Sequence, residues 1–137
     1  MKKLEQRAIL VALGNTQHPE ITQEHLDELA FLAETAGTKT VKKFIQNLAH
    51  PDSRTFVGKG KLLEIKSFVL AEKINQIIFD DDLTPSQLRN LEKEFNTSED
   101  QEGNLVRIYD RSLLILDIFL WRAQTAQART QVELARN

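Results

Sequence analysis

Apolar side chains recur along this chain in two rhythms that alternate from the amino terminus onward. Arg7 to Leu13 is a compact aliphatic run that predicts a strand, and Gly14, Asn15 and Pro19 break it. Leu26, Leu29, Ala30 and Ala33 then repeat at helical spacing, with Thr22 as the expected N-cap, Ile21 and Leu26 as a hydrophobic staple, and Gly37 as the stop. Thr40 to Gln46 alternates well enough for a second strand, closed by His50-Pro51-Asp52-Ser53. Gly58-Lys59-Gly60 precedes a second helix whose inner face holds Leu62, Ile65, Phe68 and Val69 and which ends near Lys73.

The second half repeats the alternation. Ile74 to Asp80 fits a strand covered on both faces, and Asp80, Asp81 and Asp82 mark its carboxyl end because they cannot enter a core unpaired. A third helix is expected over Thr84 to Phe95, with Thr84 as N-cap, Pro85 at the first helical position and Gln87 completing a capping box. Asn96 to Asn104 is polar and acidic enough for a surface excursion, Leu105 to Tyr109 reads as a fourth strand, and Ser112 can cap a final helix from Leu113 onward. Strands alternating with helices imply right-handed crossovers, hence an α/β fold with a four-stranded, mainly parallel sheet flanked by helices.

Past Trp121 the apolar stripe thins to Ala123, Ala126, Ala128, Val132, Leu134 and Ala135, too little to bury a helix alone. It calls for a partner, either a neighbouring chain by self-association or residues beyond Asn137. The expected division is therefore an α/β domain over 1–111 and the start of a long helical subdomain over 112–137.

Composition narrows the function classes. A chain of 137 residues has room for one ordinary core. It has no run of about 18 apolar residues, and Met1 to Gln6 leads into no apolar signal region, so a cytoplasmic protein without membrane insertion is expected. Without cysteine there is no disulfide framework, thiolate nucleophile or cysteine zinc site. The net charge of -2 conceals a partition: residues 39 to 66 carry Lys39, Lys42, Lys43, Arg54, Lys59, Lys61 and Lys66 against Asp52 and Glu64, whereas residues 67 to 105 are strongly acidic. An acidic chain with a local basic surface suits a docked module that touches phosphate as part of a larger contact.

Gly58-Lys59-Gly60-Lys61 invites a phosphate-loop reading, since glycine-permitted amides and a helix N-terminus bind anions. It fails the Walker A and dinucleotide patterns, and the plainer reading is a βα turn with solvated lysines. A small nucleotide-binding domain using this turn, with the aspartates on magnesium, remains the alternative function. The plainer reading of Asp80 to Asp82 is stabilisation beside a helix N-terminus, with one of them pairing with Arg89 or a partner protein. His18, His25 and His50 lie in separate segments, so no catalytic triad, zinc site or other metal site is expected. Arg122 and Arg129 are further candidates for RNA contact, the plainer reading of each being a solvated helix face.

Three ordered stretches resemble the N-terminal domain of the HflX family of ribosome-associated GTPases. They are Thr55-Phe56-Val57-Gly58-Lys59-Gly60-Lys61, Ile77 to Glu92 with its acidic turn and helix, and Asp110 to Phe119. The resemblance implies an α/β domain followed by a long antiparallel helical pair, with Gln131-Val132-Glu133-Leu134-Ala135 in its first helix, and then a GTPase domain. The second helix and every GTP-binding motif would lie beyond Asn137, so this stretch is expected to be noncatalytic, with GTP and magnesium held elsewhere in the full-length protein. It further implies binding to the large ribosomal subunit, a part in splitting or rescuing stalled ribosomes, and contact with the protein's own GTPase domain. Lys42, Lys43, Arg54, Lys59, Lys61, Arg122 and Arg129 are then the candidate ribosome contacts, and Asp80, Asp81 and Arg89 the interdomain candidates. Some members' N-terminal domains interact with adenine nucleotides, for which Gly58 to Lys61 is the place to look. Departures include Ser112 where threonine is usual and Gln124 in place of an arginine, which weakens RNA contact there.

Overall fold

The computed structural model describes residues 6–96, 105–120 and 122–123. They form four strands, β1 (Gln6–Leu13), β2 (Thr38–Gln46), β3 (Gln76–Phe79) and β4 (Arg107–Asp110), alternating with helices α1 (Pro19–Thr35), α2 (Lys59–Ala71) and α3 (Pro85–Asn96). A further helix, α4, runs over residues 111–120 and includes 122–123. All three strand pairings are parallel, in the order β2-β1-β3-β4. The extended helix expected past residue 123 lies outside the described residues.

β1 is central and explains its own composition: Ala8 to Ala12 are at most 1% exposed, because helices cover both faces. Ile9 and Val11 point into a core shared with Leu62, Ile65 and Val69 of α2 and Leu91 and Phe95 of α3. Ala8, Leu10 and Ala12 point the other way, against Leu26, Leu29 and Ala33 of α1 and Leu114 of α4. The small alanines on that face let α1 approach closely.

β2 does not alternate simply. Ala8 pairs with Thr40 and Ile9 with Lys42, so Val41 is an inserted bulge residue. Val41 packs on the α2 side, and Lys42 also lies there, over the rings of Phe44 and Phe68 at 4.8 and 4.9 Å. Lys43 returns to the α1 side and pairs with Asp27 at 2.8 Å.

Several element ends differ from expectation. Thr22 is not the N-cap of α1. The helix starts a turn earlier at Pro19, because Asn15 Oδ1 accepts the amides of Gln17 and His18 and turns the chain in. Thr22 is buried, its hydroxyl accepting the Asn15 amide. Ser112 is likewise not the cap of α4. Asp110 fills that place, one carboxylate oxygen accepting the Leu113 amide and the other the Leu83 amide. β3 begins at Gln76 rather than Ile74, because α2 closes through Lys73 in the left-handed region (φ 53) and the Ile74 amide bonds back to the Val69 carbonyl. The capping box of α3 forms as expected: Thr84 Oγ1 accepts the Gln87 amide and Gln87 Oε1 accepts the Thr84 amide.

Candidate functional site

The strand order runs outward in two directions from β1 and β3, so the crevice outside their carboxyl ends is where parallel sheets usually hold ligands. Two connections that meet there, β2–α2 and β3–α3, each bring a group singled out by sequence.

The β2–α2 connection carries Arg54 and the glycine-lysine turn. Asp52 and Phe56 exchange backbone bonds of 3.0 and 2.9 Å, and Asp52 Oδ1 accepts the amides of Arg54 and Thr55. Those amides hold the Asp52 carboxyl below its usual range. The Val57 amide bonds to the Thr55 carbonyl around Phe56, which takes φ 70 and is 2% exposed, its ring edge-on to Phe79 at 5.4 Å. Gln87 Nε2 donates to the Asp52 carbonyl, and Asn90 Nδ2 to that of Arg54, so α3 fixes the loop.

Gly58 caps α2 in an extended conformation, and its amide donates to Gln46 Oε1 at 2.8 Å. It is therefore not a free amide aimed at an anion. A Cβ at Gly58 would stand 3.2 Å from Gln46 Nε2, whereas one at Gly60 would meet nothing within 4 Å. Gly58 thus answers a close approach, while Gly60 is an ordinary helical position. No side chain caps α2, so its first-turn amides have no side-chain acceptor at the cap.

The basic candidates do not form one patch. Lys42 and Lys43 lie on opposite faces of β2, and Lys61 pairs with Glu64 at 2.9 Å. Arg54 and Lys59 are exposed and make no salt bridge among the described residues. Arg122 is exposed on its helix, and Arg129 lies outside the described residues.

The β3–α3 connection carries the aspartates. Asp80, its side chain 6% exposed, is held by Arg111 through Nη2 at 2.8 Å and Nε at 3.2 Å, so its partner is Arg111 and not Arg89, which is exposed. Arg111 also reaches Glu28 at 3.7 Å and the His25 carbonyl, and Ser112 Oγ donates to Asp82 Oδ1 at 2.6 Å. Asp81 is exposed. Among the described residues no three His, Asp or Glu side chains converge to hold a metal ion. The hub at Arg111 was missed in the sequence; its signal was the basic residue at the start of a helix that follows a strand.

Residues 23–120 match the family described as GTP-binding GTPase N-terminal. The chain is 46% identical over 132 residues to the GTPase HflX of Flavobacterium psychrophilum, covering 96% of this chain and 30% of that one. It is 36% identical to the GTPase HflX of Escherichia coli, covering 96% of this chain and 28% of the relative. The crystal structure of SsGBP with GDP superposes with a TM-score of 0.62 at 25% identity, over 96% of this chain and 34% of that one. The chain thus spans about a third of the length of these proteins. Its sequence and its parallel sheet place it in the GTP-binding GTPase N-terminal family, as the N-terminal domain of an HflX-type GTPase.

Proposed function

We propose that this chain is the noncatalytic docking and regulatory module of an HflX-type GTPase, binding the large ribosomal subunit while a GTPase domain elsewhere in the protein holds GTP and its magnesium. Two parts follow, an α/β body over 1–111 and a helical arm starting at 112. The observation that carries the reading is the family match over a stretch amounting to 30% of the Flavobacterium relative. Two surfaces support it. α4 buries Leu114 but leaves Ile115, Leu116, Phe119 and Leu120 about half or more exposed, a face suited to the rest of the protein. Arg54 in the β2–α2 connection and Lys59 at the start of α2 are exposed cations that would meet phosphate oxygens of ribosomal RNA.

The test is co-sedimentation with purified large and small subunits over a salt series. Retention on the large subunit, weakening steeply with salt and lost in an Arg54→Glu, Lys59→Glu variant, is expected; salt-insensitive retention or equal retention on both subunits overturns it.

The second reading, an adenine-nucleotide site at Gly58 to Lys61, is favoured by the uncapped first turn of α2. It predicts that ATP with magnesium raises the melting temperature at millimolar concentration, and no rise at that level excludes it.

A further inference from the structure

The amino ends of the strands carry a polar row that the candidate site does not use. On the side of the sheet covered by α1 and α4, Ala8, Leu10, Ala12 and Ile78 are aliphatic, but Thr38, Gln6 and Gln76, where β2, β1 and β3 begin, are not. Thr38 and Gln76 are buried. Thr38 Oγ1 donates to Gln76 Oε1 at 3.2 Å, and Gln76 Nε2 donates to Gln6 Oε1 at 2.6 Å. These bonds leave the Gln76 carboxamide one N–H and one acceptor position still to fill. A carboxamide on a covered sheet face costs desolvation that an aliphatic side chain there would not.

This row lines a cavity of about 410 Å³, whose other walls include Arg107 and Tyr109 of β4 and Asp117 of α4. Arg107 and Asp117 are exposed and Tyr109 is half-buried. The side chains of all three make no hydrogen bond or ion pair among the described residues. A guanidinium, a carboxylate and a phenol therefore stand round one cavity without using each other. The two charges cancel, and the apolar part of the lining is confined to Ala36, Leu105 and Leu114.

We propose that this cavity binds a small zwitterion of the α-amino acid class with a hydrogen-bonding side chain. Arg107 takes the carboxylate, Asp117 takes the ammonium, and the unfilled positions of the Gln76 carboxamide take the polar end of the side chain. The lining selects this chemistry. A phosphate or nucleotide would meet one cation already offset by a carboxylate, and a lipophilic molecule would leave the Gln76 positions unpaired. The cavity lies at the amino ends of the strands, whereas Arg54, Lys59 and the glycine-lysine turn follow the carboxyl end of β2, so it goes beyond both readings above. Because Arg107 belongs to the sheet and Asp117 to α4, the ligand would also tie the helical arm to the α/β body.

The test is an NMR titration of the full chain that reads backbone amides and the Gln76 side-chain amide, with L-glutamine as the probe. Glutaramate, which lacks the ammonium, γ-aminobutyramide, which lacks the carboxylate, and AMP are the controls. L-glutamine should give saturable shifts at Gln76, Arg107, Tyr109 and Asp117 at millimolar concentration, and each truncated analogue should bind about tenfold more weakly. Arg107→Gln should weaken L-glutamine about tenfold and leave γ-aminobutyramide within about twofold, while Asp117→Asn should weaken L-glutamine as much and leave glutaramate within about twofold. Both side chains are exposed and unpaired, so neither substitution threatens the fold. No saturable shift with L-glutamine, AMP binding more tightly than L-glutamine at the same residues, or unchanged affinity in both variants overturns the proposal.

Discussion

Phe56 and Lys73 both hold positive φ, and the chain compensates them differently. Phe56 is anchored by burial against Phe79 and by the loop bonds around Asp52, so its strain is outweighed by the core. Lys73 is exposed and holds the left-handed position that ends α2, a position glycine adopts without strain. Lys73→Gly should therefore stabilise the protein by about 1 kcal/mol, read as a higher urea midpoint at unchanged slope. Asp52 carries a pH signature. Its folded carboxyl titrates below the usual 3.8, so its contribution is complete above that value and is lost as pH falls through the lower folded value. The stability gap between wild type and Asp52→Asn should be constant from neutrality down to about pH 4 and close below it. Legibility at this scale followed distance along the chain. Thr84 and Gln87 were readable because their bonds are three residues apart, whereas Ser112 was misread because its partner Asp82 is 30 residues away.

α4 shows what a single helix start can depend on. Its first turn is joined to the β3–α3 loop by Arg111 on Asp80, Ser112 on Asp82, and Asp110 accepting the Leu83 amide. The direction in which α4 leaves the sheet is thus set by three separate contacts. Arg111→Ala would leave the Asp80 carboxylate, 6% exposed, with His25 Nδ1 at 4.0 Å in place of the Arg111 fork, and should cost about 2 kcal/mol, discounted from a fully buried pair because Arg111 itself is partly exposed. Asp80→Asn should relieve much of that loss, giving a coupling of about 1 kcal/mol in a double-mutant cycle by chemical denaturation. Strand and helix identities were legible because each element carries its own period. The Val41 bulge was not, since a bulge is a matter of pairing between strands and leaves the local pattern almost intact. The clamp at the acidic excursion was equally hidden: Asn96 donates to the Val106 carbonyl and accepts its amide, fixing both ends of the segment between them.

For the whole molecule, the alternation of elements was enough to give a parallel α/β sheet, and the family could be read from three motifs. The arrangement of the candidate site could not. Lys42 and Lys43 are adjacent in sequence yet lie on opposite faces, and Asp80 faces Arg111 rather than Arg89, because the sheet order brings β4 beside β3. Surface charge was visible as a partition along the chain, but its distribution in space depended on which helices cover which face. The central position of β1 has a consequence for synthesis. The first strand to leave the ribosome acquires its neighbours from residues 38–46 and then from residues 76–79. Its aliphatic run must therefore wait, exposed or shielded by a chaperone, until residue 79 has been made. The earliest-made segment of this domain is the one whose burial is completed late, and it is there that nascent chains should be most open to misassembly.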